Sequence, residues 1–209
     1  MPLLHVDPVR CEPSDLEPAV AWLRAGRVVA FPTETFYGLA ADPRSAQAIS
    51  AVLDLKGRPA GLALPLVAPS TDSVETLCGR LTALSRRLAA AFWPGPVSLI
   101  VDLQASLAPG VAGADGTVAV RVPGHAVAMS LARAWGGPVT ATSANRSGSP
   151  PARTPGELGA LADDPRVLVI DGGETSGGLP STIVDARTEQ PVLVRAGAVP
   201  WNRVLKSSH

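Results

Sequence analysis

The chain has 209 residues, of which 46% are hydrophobic, 17% charged and 4% aromatic, with 20 glycines and 21 prolines. That suffices for one substantial core and is too apolar and too weakly charged for a disordered chain. Lys+Arg of 18 match Asp+Glu of 18, so no global positive field gathers nucleic acid. Cys11 and Cys78 make neither a disulfide framework nor a Cys-rich zinc site, and His5, His125 and His209 lie far apart. No apolar run approaches about 18 residues, and the N-terminus lacks a basic region followed by a hydrophobic one. The expectation is a soluble, cytoplasmic protein with no membrane association.

In chain order, Ser14 and Glu17 have capping-box spacing, and Leu16, Val20 and Leu23 follow on one apolar face up to Gly26. A short buried strand then ends at Pro32. Ser45 caps a second helix carrying Ile49, Val52 and Leu53, which closes at Gly57. Residues 62–67 read as a strand interrupted by Pro65, suited to a sheet edge or bulge. Residues 80–92 read as a helix stopped by WPGP at 93–96. Strands at 97–103 and 117–122 flank a Gly/Ala/Pro loop, residues 126–135 are helical, and 138–145 form one strand running into a polar turn. Thr154, Pro155 and Glu157 supply an N-cap, first-turn proline and capping box for a helix to about 162. Strands follow at 167–171, 181–186 and 191–195. Interleaved helices and strands argue for α/β. The later strands are too close together for helical crossovers, which predicts a mixed sheet. No linker divides the chain, so one domain over 1–209 is expected, with its core at about 14–199.

The common nucleotide and nucleophile motifs GxxxxGKS/T, GxGxxG after a strand, and GxSxG are absent, and GGETSGG at 172–178 has neither glycine-rich spacing. Polar residues gather instead at strand ends: Thr33, Glu34 and Thr35; Ser143 and Asn145; Ser181 and Thr182. Open α/β sheets bind ligands there, and recurrence at three ends points to one pocket. Satisfaction of turn amides is the competing account of the threonines. Lys56 stands one residue from Arg58 at the end of an apolar helix face. An ammonium beside a forked guanidinium suits a polyanion such as triphosphate; a solvated helix end that favours cations is the alternative. Arg121 and Arg195 interrupt or end apolar strands, where each needs water or an anionic partner. A salt bridge to Asp102, Asp171 or Asp185 competes with a ligand for either. Glu34 is a candidate magnesium ligand, orienting group or turn residue, and His125 reads as a helix cap. The four tryptophans, at 22, 93, 135 and 201, lack the basic interleaving of a strand-stacking surface.

Seven segments occur in order: FPTETFYGLAAD (31–42), KGRP (56–59), FWPGPVSLIV (92–101), VAVRVPGH (118–125), ATSANRSG (141–148), GGLPSTIVD (177–185) and VLVRAGAV (192–199). Together they resemble the YrdC/TsaC family of threonylcarbamoyl-AMP synthases over roughly 14–199, in its short form without an extra C-terminal domain. Two departures stand out. After KGRP the family commonly has a polar or basic pair, where this chain has AGLALPL; a polar contact near the phosphates is missing there, and Leu62 bears on loop closure. Ser98 stands where threonine is frequent and keeps the hydroxyl.

The resemblance implies a twisted, mixed to antiparallel open α/β sheet with flanking helices and a large concave, positively lined cleft. It implies condensation of L-threonine, bicarbonate and ATP to threonylcarbamoyl-AMP with release of pyrophosphate. The product feeds N6-threonylcarbamoyladenosine formation at tRNA position 37 through the tRNA threonylcarbamoyl transferase complex. By the same resemblance Lys56, Arg58, Ser143 and Asn145 are catalytic and ATP-binding, with Arg195 also on the nucleotide. Thr33, Thr35, Arg121 and Ser181 take threonine and bicarbonate. Magnesium is carried by ATP phosphates without a protein metal cluster, and no organic cofactor is needed. Weak tRNA binding and a monomer or weak dimer are further expectations. The alternatives are a related carbamoyl-adenylate enzyme with another substrate, or a non-enzymatic binder of double-stranded RNA or tRNA. Neutral charge and scarce lysine weigh against the binder.

Overall fold

The computed structural model describes residues 2–57 and 63–208; the expectations for Arg58 and Leu62 lie outside the described residues. The described chain runs β1 (Leu3–His5), α1 (Glu17–Arg24), β2 (Val28–Pro32), β3 (Tyr37–Ala40), α2 (Ala46–Lys56) and β4 (Leu66–Val67). It continues through α3 (Thr71–Cys78), α4 (Ala83–Phe92), β5 (Val97–Asp102), β6 (Thr117–Arg121), α5 (Ala126–Trp135), β7 (Val139–Thr140) and β8 (Thr142–Ser143). The last elements are α6 (Ala160–Asp163), β9 (Val167–Asp171), β10 (Thr182–Asp185), β11 (Val192–Arg195) and α7 (Trp201–Lys206).

The α/β class and mixed strand directions hold, but the strands divide into two sheets rather than one. The first has the order β1-β9-β2-β3-β8 and the second β11-β10-β5-β6-β4-β7. Each combines parallel and antiparallel neighbours. The division is made within the stretch expected as a single strand at 138–145. Val139 pairs with Val67 in the second sheet, whereas Thr142 pairs with Leu39 in the first. At the crossing, Ala141 donates to Pro65 and Thr140 to Ala41, so each exposed peptide edge finds a partner as the chain changes sheets.

Layering follows from alternation. In β2, Val29 and Phe31 pack with Leu16, Leu23, Val127 and Leu131 on one side. Val28 and Ala30 face a larger core with Leu39, Ile49, Val52 and Val120 on the other. A strand covered on both faces loses the apolar–polar alternation and reads as a continuous apolar run, as VVAFP does. A third cluster joins Leu84, Leu88 and Phe92 of α4 to Val97, Leu99 and Val184.

Several expectations need correction. Glu12, not Ser14, precedes the first helical turn, which is 3-10 over Pro13–Leu16, and the Asp15 carboxylate accepts from the Glu12 N–H at 2.9 Å. Thr154 holds the N-cap position but makes no side-chain cap, and the Glu157 carboxylate accepts from the Arg153 N–H at 2.6 Å. Gly159, with a φ of 52°, then separates that 3-10 turn from α6. The strand expected over 62–67 is Leu66–Val67 alone among the described residues, beginning after Pro65. The helix expected from 80 starts at Ala83, where Thr82 accepts from the Ser85 N–H at 3.0 Å. β1, β3, α3 and α7 were not foreseen: three are six residues or fewer, and in α3 only Val74, Leu77 and Cys78 are buried.

Candidate active site

Lys56 is placed by the helix that carries it. Ser45 caps α2 by accepting from the Ala48 N–H at 3.2 Å, and Gly57 ends it in the left-handed region. Ile49, Val52 and Lys56 share one face at helical spacing, so the last residue of the helix enters the interior and is only 4% exposed. Its ammonium donates to the carbonyl oxygen of Ser143 at 2.6 Å, to that of Asn145 at 3.1 Å and to Asn145 Oδ1 at 3.2 Å. The Ser143 hydroxyl donates to the same Oδ1 at 2.6 Å, and the Ser147 N–H donates to the Lys56 carbonyl. Lys56 is thus the internal brace of the Ser143–Asn145 turn. Neither a triphosphate contact nor a solvated helix end, the two sequence-based expectations for this ammonium, includes that brace.

A second group lies on the face of the other sheet directed away from α4. Leu99 pairs with Val120, so the next pair sets Ser98 opposite Arg121. Ser98 also pairs with Ile183, and Ile183 with Arg195, so the two arginines and Ser98 occupy one row across four strands. Arg195 donates to the Ser181 carbonyl at 2.8 Å through Nη2, at 3.2 Å through Nε, and to Ser181 Oγ at 3.0 Å. Ser181 Oγ lies 3.2 Å from Ser98 Oγ, both buried. Burial, and secondarily the like charge of Arg121, lower the Arg195 pKa from its ordinary value. Gly197 permits this construction: a Cβ there would stand 2.2 Å from the Pro180 carbonyl oxygen and 2.5 Å from the Thr182 nitrogen.

The two groups meet at the β2–β3 hairpin. Pro32 pairs with Tyr37, leaving Thr33–Phe36 as its turn. The Thr33 hydroxyl donates to Phe36 O at 2.7 Å and accepts from the Thr35 and Phe36 N–H groups. Thr33 therefore closes the turn, as the structural account anticipated. Among the described residues the Thr35 hydroxyl has one hydrogen-bonding neighbour, Thr33 Oγ1 at 3.3 Å. On one side of this hairpin, Gly38 pairs with Ser143 and the Ala144 N–H donates to Tyr37. On the other, Glu34 Oε1 lies 3.1 Å from Arg121 Nε. The Gly177 N–H donates to Thr35 O, which gives the glycine-rich segment its place beside the turn.

Arg121 is paired with Glu34, not with Asp102, Asp171 or Asp185 as the competing account had it. Asp102 and Asp185 bind Arg187, and Asp171 lies 3.1 Å from His5 Nδ1. His125 caps α5, its Nδ1 accepting from the Val127 N–H at 3.2 Å, and burial lowers its pKa against the opposing pull of Glu34. A neutral imidazole fits that acceptor role. Sequence reasoning placed Ser98 only as a benign replacement; a hydroxyl inside the apolar strand VSLIV was the signal for its place in the row. A hollow of about 200 Å³ adjoins Asn145, Arg146, Ser149 and Glu157. No cluster of three or more metal-ligating side chains is present among the described residues, and no helix among them is long and apolar enough to cross a membrane.

The family model Sua5_yciO_yrdC, described as "Telomere recombination", matches residues 21–197. The chain belongs to the Sua5/YciO/YrdC family. This is the family that the sequence motifs resemble. Within it, the threonylcarbamoyl-AMP synthase of Pyrococcus abyssi is 36% identical over 200 residues, covering 94% of this chain and 58% of the relative. The threonylcarbamoyl-AMP synthase of Stenotrophomonas maltophilia is 43% identical over 179 residues, covering 82% of this chain and 93% of the relative. The crystal structure of P. abyssi Sua5 complexed with L-threonine has a TM-score of 0.90 at 34% identity, covering 99% of this chain and 61% of that one. The chain thus spans about three fifths of the P. abyssi protein and nearly the whole length of the S. maltophilia one.

Proposed function

We propose that this family member is an ATP-dependent nucleotidyltransferase that makes threonylcarbamoyl-AMP from L-threonine, bicarbonate and ATP, releasing pyrophosphate. The observation that carries the reading is the attachment of two cationic groups to one hairpin: Lys56 through the Ser143–Asn145 turn and Arg121 through Glu34. Such a site holds two anionic reactants side by side, and positioning supplies most of the acceleration when separate molecules must be joined.

The amine of threonine, once neutral, forms the N–C bond to carbon dioxide released from bicarbonate and gives up its proton. An oxygen of the resulting carbamate bonds to the α-phosphorus of ATP in line, while the bond to pyrophosphate breaks. Arg121 takes the amino-acid carboxylate and Arg195, at the other end of the row, the nucleotide. The Ser143–Asn145 turn aligns the α-phosphate, with Lys56 holding that turn rigid and adding a buried positive charge. Releasing the Ser143 hydroxyl from Asn145 costs one hydrogen bond, about 0.5–1.5 kcal/mol. Arg58 is assigned to the triphosphate by resemblance to the family alone. Magnesium arrives with ATP on its phosphate oxygens, as befits a site whose carboxylate, Glu34, is already set against Arg121. The product passes to the tRNA threonylcarbamoyl transferase complex in the cytoplasm.

The test is pyrophosphate release with ATP and magnesium, omitting threonine or bicarbonate in turn, with mass spectrometry of the nucleotide. Release that needs both, with an adenylate of threonylcarbamoyl mass, is the expected result. Release indifferent to threonine, or none with any amino acid, overturns the reading.

A further inference from the structure

The contact between Glu34 and Arg121 is unusual in its chemistry. Arg121 carries a side chain only 6% exposed and Glu34 one 17% exposed. Their charges are 3.1 Å apart, yet among the described residues no hydrogen bond runs along the Arg121 Nε–H, and neither oxygen of the buried carboxylate accepts from another donor. Buried polar atoms are almost always paired, and an exception calls for a reason. A carboxylate kept only for the turn would accept from turn amides, and here Thr33 already does that work. What Glu34 does supply is charge. Arg121 and Arg195 stand in one row of the sheet, where burial and, second to it, the like charge of Arg121 lower the pKa of Arg195, and His125 is held toward its neutral form by burial. Without Glu34 the group carries two positive charges; with it, one.

We infer that Glu34 is a positioning and specificity-determining residue: by compensating Arg121 from the Nε side it leaves the terminal guanidinium nitrogens to a single carboxylate and keeps the pocket from favouring phosphate dianions. The inference rests on the assignment of the amino-acid carboxylate to Arg121. A pocket of net charge +1 matches a carboxylate monoanion, whereas one of +2 favours a dianion, and in a desolvated site that difference is not screened away. The pocket must exclude phosphate, because the other reactant brings three phosphoryl groups into the same cleft. Discrimination of this kind comes from an element that opposes the wrong ligand as well as one that attracts the right one.

The experiment is calorimetric titration of L-threonine and, separately, inorganic phosphate into the parent protein and Glu34→Gln, with thermal melts and steady-state kinetics alongside. Glu34→Gln is expected to weaken threonine about tenfold and tighten phosphate by a similar factor. In kinetics the KM for threonine rises while the KM for ATP stays within about twofold, a split that a lost structural contact would not produce. Glu34→Asp keeps the charge but withdraws it, so it should weaken threonine without tightening phosphate. Unchanged phosphate affinity in Glu34→Gln overturns the inference, as does a parent that binds neither ligand. Failure of both variants to fold assigns Glu34 to the turn alone and overturns it too. A parent that binds threonine selectively yet releases no pyrophosphate defeats the proposed activity and leaves the charge selection standing.

Discussion

The Lys56 ammonium lies 2.6 Å from the carbonyl oxygen of Ser143, a residue 87 positions later in the chain. One lysine thereby joins the C-terminal end of α2 to the turn that follows β8. Its charge serves the architecture of the site before any substrate arrives.

Lys56→Met leaves the carbonyl oxygens of Ser143 and Asn145 without this donor. Loss of a charge-assisted bond of this kind is worth about 1.5–3 kcal/mol, so the midpoint of urea unfolding should fall accordingly. Synthesis should drop about a hundredfold as the turn loses its alignment. Lys56→Arg should not restore it, since a planar fork cannot meet acceptors arranged for a compact ammonium. Full activity in either variant would show that the brace is dispensable.

Thr33 and Thr35 should separate. Thr33→Val removes a hydroxyl that satisfies three backbone groups, and stability should fall by about 1–3 kcal/mol. Thr35→Val should leave the unfolding midpoint near that of the parent while raising the KM for threonine. Equal stability losses in the two would contradict the division of labour.

Gly197→Ala places a methyl 2.2 Å from the Pro180 carbonyl oxygen. The obstruction is backbone, so relief requires moving the segment that presents Ser181 to Arg195. The variant should melt well below the parent and lose activity; a parent-like melting curve would show that the segment yields freely.

Tyr37 is the chain's one tyrosine. Burial pushes its phenol up from 10.0 to about 12, and its hydroxyl donates to Gly173 O at 2.8 Å. The neutral form is the one the fold favours. Its contribution is therefore complete below pH 10 and is lost as pH rises toward 12. Ultraviolet titration of the phenolate should show a single late transition, and Tyr37→Phe should flatten the fall in stability over that window. A midpoint near 10 would mean that the ring is open to water.

Legibility in the sequence followed the range of the interaction. α2 was legible from Ser45 to Gly57 because its cap and its stop are local. The His125 cap and the buried β2 were legible for the same reason. The capping box expected at Thr154 and Glu157 does not form, the Glu157 carboxylate taking the N–H of Arg153, one residue earlier. β1 escaped notice because three residues carry too little pattern, and pairing with β9 is what makes them a strand. Arg121 was legible as an arginine in need of an anion, but the sequence offered three aspartates and the structure chose Glu34.

By itself, then, the sequence determined the class of the fold, the family and the set of polar residues at strand ends. Apolar periodicity, caps and motif residues act over a few positions, and these features need nothing more. Only the tertiary structure decided that 138–145 belongs to two sheets, that Lys56 spends its protons on the Ser143–Asn145 turn, and that Glu34 answers Arg121. Hydrogen bonds and charge compensation are settled by whichever partner folding brings within about 3 Å, and for these residues that partner lies tens of positions away along the chain.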